Sequence, residues 1–200
     1  RSGCSRSHAS MISSDARSSR PHVANSASIT SGVRSSNHAS VAASRAGGTS
    51  IEHASILDDE AIRILKENGT WIVPQLFLPE WIKPETMPPV IAAKAVAMRE
   101  LVAASIRKAA QAGVRIGFGS DSSVVPFALT GREFAARVRI GMAPLEVLRQ
   151  ATLYNAELLD TPDRGVIAVG KLADLVAVPG DALADISATD SPQRFPIARE

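Results

Sequence analysis

Apolar and polar positions fall into regular periods only after residue 48. Thr49-Ser50-Ile51 reads as a short strand that ends at Glu52-His53. Leu57-Asp58-Asp59-Glu60 opens a helix with acids in its first turn, where the helix dipole favours them. Ala61, Ile62 and Leu65 form its apolar stripe, and Asn68-Gly69 closes it. Trp71-Ile72-Val73-Pro74 predicts a second strand, with Pro74 as its exit because proline has no N–H to give to a ladder. The proline-rich residues 79–89 read as a loop over a rim. A long helix over 90–112 comes next, with Ile91, Ala95, Met98, Val102 and Ile106 near helical spacing and Gly113 as its stop. Residues 114–119 predict a third strand leading to Asp121. Arg132 to Ile140 is a helix broken at Gly141, and Pro144 starts another that runs to about Leu159. Residues 165–167 and 172–178 read as two strands joined by a turn at Gly170-Lys171.

Strand and helix alternating three times predicts parallel βα units, hence an α/β class. The two late strands break that rhythm and suggest a separate small β layer. The expected organisation is a low-complexity segment over 1–48, a partial barrel over 49–160, and β strands with a tail over 161–200.

Residues 1–48 contain no Leu, Phe, Tyr or Trp and consist mostly of Ser, Ala and Arg. A segment so poor in large apolar groups cannot offset its chain entropy by burial, so disorder is the expectation there. A stretch translated in the wrong frame is favoured over a transit peptide or a natural tail, because the periodic part of the chain starts in mid-architecture. The formal net charge of +2 divides at the same place. The first 48 residues hold six Arg against one acid, Asp15, which leaves the remainder net negative. With no aromatic interleaving and no binding module, the basic segment is not read as a nucleic-acid site. The single cysteine, Cys4, rules out a disulfide framework and a cysteine zinc cluster. No apolar run approaches the ~20 residues of a membrane span, so no membrane partner and a cytoplasmic location are expected.

Two residues carry the candidate chemistry. His53 and Asp121 each end a predicted strand, and in parallel barrels the chemistry gathers at the C-terminal ends of the strands. Imidazole and carboxylate are ligands for zinc and similar divalent ions. Such an ion lowers the pKa of its bound water, and a neighbouring carboxylate can carry the proton to a departing nitrogen. That combination would hydrolyse a C–N bond. A lone His or Asp at a strand end is otherwise only a polar residue entering a loop. Arg132 and Glu133 read as a solvated helix face, and Asn155, inside an apolar helix, as a buried hydrogen-bonding residue.

The stretches GTSIEHASILDDEAIRILKENGTWIVPQL, AGVRIGFGSDS, REFAARVRIGMAPLEVLRQATLYNAELL and GVIAVGKLADLVAV carry a family resemblance. Together, over about residues 48–187, they resemble the imidazolonepropionase and Xaa-Pro dipeptidase-like branch of the amidohydrolase superfamily. The resemblance implies the C-terminal part of a (β/α)₈ TIM barrel plus strands of a small β-sandwich. It implies that His53 binds a divalent metal, Zn or a similar ion, after the sixth strand. Asp121, after the eighth, would bind the metal and act as base and then acid. The substrate would be a small amide or peptide. The family's His-x-His pair on the first strand and its bridging lysine have no counterpart. Where a fifth-strand His is expected, Val33, Arg34 and Ser35 stand, and His8, His22 and His38 are not promoted in its place. The competing expectation is a non-catalytic half-barrel, truncated or frameshifted. A weaker alternative is a TIM-barrel enzyme without metal. Open barrel edges predict self-association.

Overall fold

The computed structural model describes residues 33–190 and 197–198. Its centre is a small parallel sheet. β1 (Ser50–Glu52) pairs with β2 (Trp71–Val73), Ser50 opposite Trp71, Ile51 opposite Ile72 and Glu52 opposite Val73. A third extended segment joins β2 through one parallel bridge, Ile72 to Ile116. This is less than the six-residue strand the apolar run predicts. The physical reason is Pro74, whose missing N–H ends the ladder on that side of β2.

Helices cover the sheet in βα order. α1 (Val33–Arg45) precedes β1, and α2 (Asp59–Glu67) links β1 to β2. α3 (Leu78–Trp81) and a 3₁₀ turn at Pro84–Thr86 occupy the proline-rich stretch read as a loop. α4 (Pro89–Ala112) returns to the Ile116 segment, stopped by Gly113 at φ 81°, the left-handed conformation that ends many helices. α5 (Arg132–Arg139) and α6 (Pro144–Arg149) come next. α6 passes through a π turn (Gln150–Tyr154) into α7 (Asn155–Leu158).

Local chemistry explains several boundaries. Asp58 caps α2 by accepting from Ala61 N at 2.8 Å. Asp59 and Glu60 sit in the first turn, Lys66 in the last, as the dipole favours. Ile62 and Leu65 of α2, Ile51 and Ile72 of the sheet, and Ile106 of α4 form one buried core. The second half of α4 supplies its buried side chains: Val102, Ile106 and Ala109 are buried, whereas Ile91 and Val96 are exposed.

Two expectations are corrected. Within the segment expected to be disordered, residues 33–45 form α1, which packs on α2 and β1. It succeeds without large apolar groups by burying small polar ones that are paired. Ser44 Oγ meets Thr70 Oγ1 at 2.9 Å, and Asn37 Oδ1 accepts from Asp58 N at 3.1 Å. Val41 adds the apolar contact. Residues 1–32 lie outside the described residues. The late hairpin also differs. Residues 165–167 form no strand, and β3 (Leu175–Val176) pairs antiparallel with β4 (Ile197–Ala198), not across the Gly170-Lys171 turn. The partner of β3 is thus supplied from further along the chain.

No helix among the described residues is long and apolar enough to cross a membrane.

Candidate active site

The sheet delivers both candidate residues to the same end. His53 comes directly after β1, and its N–H donates to Val73 O at 3.0 Å, continuing the β1–β2 ladder by one bond. Its φ is then 66°, and Ala54 is next at 42°, so the chain turns sharply out of the strand. Asp121 leaves the Ile116 segment with φ 49°. Left-handed backbone is uncommon for residues other than glycine, although His and Asp tolerate it better than most. Such conformations concentrate at functional sites. Asp121 is held in a tight turn: its carbonyl accepts from Val124 N and Val125 N at 2.9 and 3.0 Å. Its Oδ1 accepts from Ser123 Oγ at 2.8 Å. Both residues are half-buried.

β2 stands between them in the sheet order. Two interstrand steps place the two exits roughly 10 Å apart at the backbone. At the exit of β2, Gln75 is buried and its Oε1 has no hydrogen-bond partner among the described residues. Gly119 packs hard against this exit. A Cβ there would come 2.7 Å from Val73 Cγ1 and 3.3 Å from Gln75 Nε2, so a side chain would push the two exits apart.

The largest polar feature beneath this end departs from the sequence-based expectation. Of the two residues read as a solvated helix face, Arg132 is exposed but Glu133 is fully buried, as is Arg137 four residues on. Arg137 Nε donates to Glu133 Oε1 at 2.8 Å. Arg137 Nη1 donates to Gly117 O at 2.8 Å and Gln150 Oε1 at 2.7 Å, and Nη2 to Pro74 O at 2.7 Å. Glu133 Oε2 accepts from Leu76 N and Phe77 N at 2.9 and 2.8 Å. The guanidinium also lies 4.5 Å from the centre of the Phe118 ring. Burial pushes the Glu133 carboxyl up, opposed by the Arg137 charge and the two amides. Burial likewise pulls the Arg137 guanidinium down, opposed by Glu133. Every hydrogen bond to Glu133 comes from an N–H donor, which suits the carboxylate form. The i, i+4 spacing of the pair, on the same face as Ala136 and Ile140, was the signal available in the sequence.

Asn155 makes the hydrogen bonds expected of it, although it is half-buried and not buried. Its Oδ1 accepts from Phe118 N at 2.8 Å and its Nδ2 donates to Phe118 O at 2.9 Å. Phe118 turns these groups away from β2, so the side-chain amide caps the outer edge of the third segment.

A cavity of about 590 Å³ lies at the opposite end of the sheet, lined by Trp71, Arg107, Arg115, Glu146 and Tyr154. Neither His53 nor Asp121 borders it. In parallel barrels that end serves stability and the other carries the chemistry, so the strand exits are the better candidate site.

The donor types at the exits suit a divalent metal, but their number does not. Catalytic zinc takes three protein ligands. Among the described residues no group of three or more His, Cys, Asp or Glu is placed to hold an ion. His38 is on α1 and exposed. The position expected for a fifth-strand His is the start of a helix, Val33 of α1.

Over 165 residues the chain is 33% identical to the ochratoxinase of Aspergillus niger, covering 76% of this chain and 33% of that protein. A 99-residue stretch is 33% identical to the hydroxydechloroatrazine ethylaminohydrolase of Pseudomonas sp. (strain ADP), covering 44% and 21%. The fold is similar to that of a Xaa-Pro dipeptidase solved with bound methionine, at TM-score 0.71 and 34% identity over 78% of this chain and 40% of that one. The structure of the A. niger ochratoxinase matches at TM-score 0.72 and 29% identity over 80% and 37%. The chain thus spans about a third of the ochratoxinase and a somewhat larger share of the dipeptidase. Residues 7–194 match the amidohydrolase family, reaching well into the Ser- and Arg-rich segment, beyond the motifs that carry the resemblance. On that match the chain belongs to the amidohydrolase family.

Proposed function

We propose that this chain carries one side of the active site of a hydrolase that cleaves C–N bonds in small amides or peptides. The observation that carries the reading is the delivery of His53 and Asp121 to one end of the parallel sheet, one strand apart, both in left-handed backbone. Residues 49–160 are read as the last three βα units of a (β/α)₈ barrel, with β3 and β4 belonging to a small β-sandwich. Family membership and the likeness to a Xaa-Pro dipeptidase and an ochratoxinase support the reaction class.

In this reading His53 and Asp121 would hold a divalent ion of the zinc type, with further ligands required beyond these two. Such an ion, when bound, supplies an activated water near neutral pH. Asp121 is the proton carrier. Its Oδ1 is engaged by Ser123, which orients the carboxylate and leaves Oδ2 to accept a proton and pass it to the leaving nitrogen. The competing reading is a half-barrel without catalysis, and the count of two donors is the observation on its side.

Zinc uptake and hydrolysis of a Xaa-Pro dipeptide separate the two. The hydrolase reading expects zinc binding that falls at least tenfold in His53→Ala and in Asp121→Asn, and any turnover by the wild-type chain to be lost in both. That loss is on the order of one ligand's worth of affinity. Equal zinc binding in wild type and both variants, or turnover that survives a chelator, would sink the metal assignment.

A further inference from the structure

We infer that Glu133 and Arg137 are positioning residues of the candidate site: together they replace the rungs missing from the parallel ladder and so set where the exits of β2 and the Ile116 segment stand. The functional weight of that role rests on the proposed hydrolase activity; the geometry does not.

In the ladder as it exists, Ile72 N donates to Arg115 O, and Gly117 N donates to Ile72 O, both at 2.9 Å. The next rung of a parallel pair would run from the amide of residue 74 to Gly117 O, and the one after from Gly119 N to Pro74 O. Pro74 has no N–H, so the first cannot form. Buried carbonyls left unpaired are costly. Here one guanidinium takes both: Nη1 reaches Gly117 O and Nη2 reaches Pro74 O. Just past the break, Glu133 accepts the amides of Leu76 and Phe77. The pair thus bonds to both strands across the gap where they stop bonding to each other.

The consequence is positional. Gln75 and the Gly119-Ser120-Asp121 turn lie immediately beyond this side-chain rung. Their separation is set by the span of a planar fork, while Gly119 permits the close approach on the other side. Lysine carries the same charge without the fixed fork and cannot span two carbonyls in this way.

Amide hydrogen exchange read by mass spectrometry tests this on the full chain carrying Arg137→Lys, Arg137→Ala or Glu133→Gln. Peptides covering residues 75–78 and 117–122 are expected to exchange about tenfold faster or more in each variant, with β1 and α2 keeping wild-type protection. Millimolar methylguanidinium should restore protection to Arg137→Ala, and methylammonium should not. Uniform acceleration across the chain, or an Arg137→Lys variant that matches wild type, overturns the inference. If Arg137→Ala fails to fold, the Lys and Gln variants decide the matter alone. Zinc binding is scored alongside in wild type, His53→Ala and Asp121→Asn. Equal zinc binding in all three counts against the hydrolase reading, while exchange confined to the exits still upholds the side-chain rung.

Discussion

The parallel sheet with its helices and the stretch from residue 160 to 183 are built from the same kinds of residue, yet only the first buries them. Ile51, Ile72 and Ile106 are 0% exposed, whereas Ile167 is 90% and Val176 60% exposed. Both regions carry short runs of Val, Ile and Leu, so composition does not separate them. The difference is a second layer. In the first region each strand leads into a helix whose apolar stripe returns onto the sheet, and α2 and α4 close over Ile51 and Ile72. In the second, β3 pairs with β4 over two residues and both residues of β3 stay exposed. Apolar side chains offer a capacity for burial, and a facing element realises it.

The sharpest way to break that contrast is to truncate on both sides of it. Ile72→Ala should destabilise by about 2–5 kcal/mol in urea unfolding, because the site is fully enclosed and leaves a cavity. If the loss is below about 1 kcal/mol, the sheet is not the centre of stability. Next in size is Asn155→Ala, which strips two hydrogen bonds from the Phe118 backbone and uncovers the edge of the third segment. A loss of about 1–3 kcal/mol is expected, together with more self-association in sedimentation. An unchanged midpoint and an unchanged sedimentation profile would show that the edge needs no cap. At the small end, Ile167→Ser should shift stability by no more than about 0.5 kcal/mol, since the side chain is already in solvent. A larger loss would mean that the exposed stretch is covered in solution.

Much of the fold could be read from local pattern. The start of α2 and the stops of α2 and α4 arise from Asp58, Asn68-Gly69 and Gly113, each acting within a turn of its own helix. The exit at Pro74 arises from one missing N–H. His53 and Asp121 were placed at strand ends by the same short-range reasoning, and the structure brings those ends to one side of the sheet.

The features that local pattern missed lie at long range. α1 forms in a segment with almost no large apolar residues because Ser44 and Asn37 find partners on residues 70 and 58. The hairpin expected around Gly170-Lys171 does not form, and β3 pairs with β4 instead. Glu133 reads as a surface charge from the sequence, because i, i+4 acid–base pairs such as Glu133 and Arg137 usually are solvated. Their partners Pro74 and Gly117 lie 63 and 20 residues away from Arg137.

By itself the sequence determined the parallel βα order, the helix caps, the break at Pro74 and the places of His53 and Asp121 at strand ends, because each depends on contacts within a few residues. Only the tertiary structure decided that a buried ion pair spans the break, that a Ser-rich helix packs, and that the late apolar run stays uncovered. Each of those depends on which distant group arrives to pair with a carbonyl or cover a side chain, and no local period encodes that arrival.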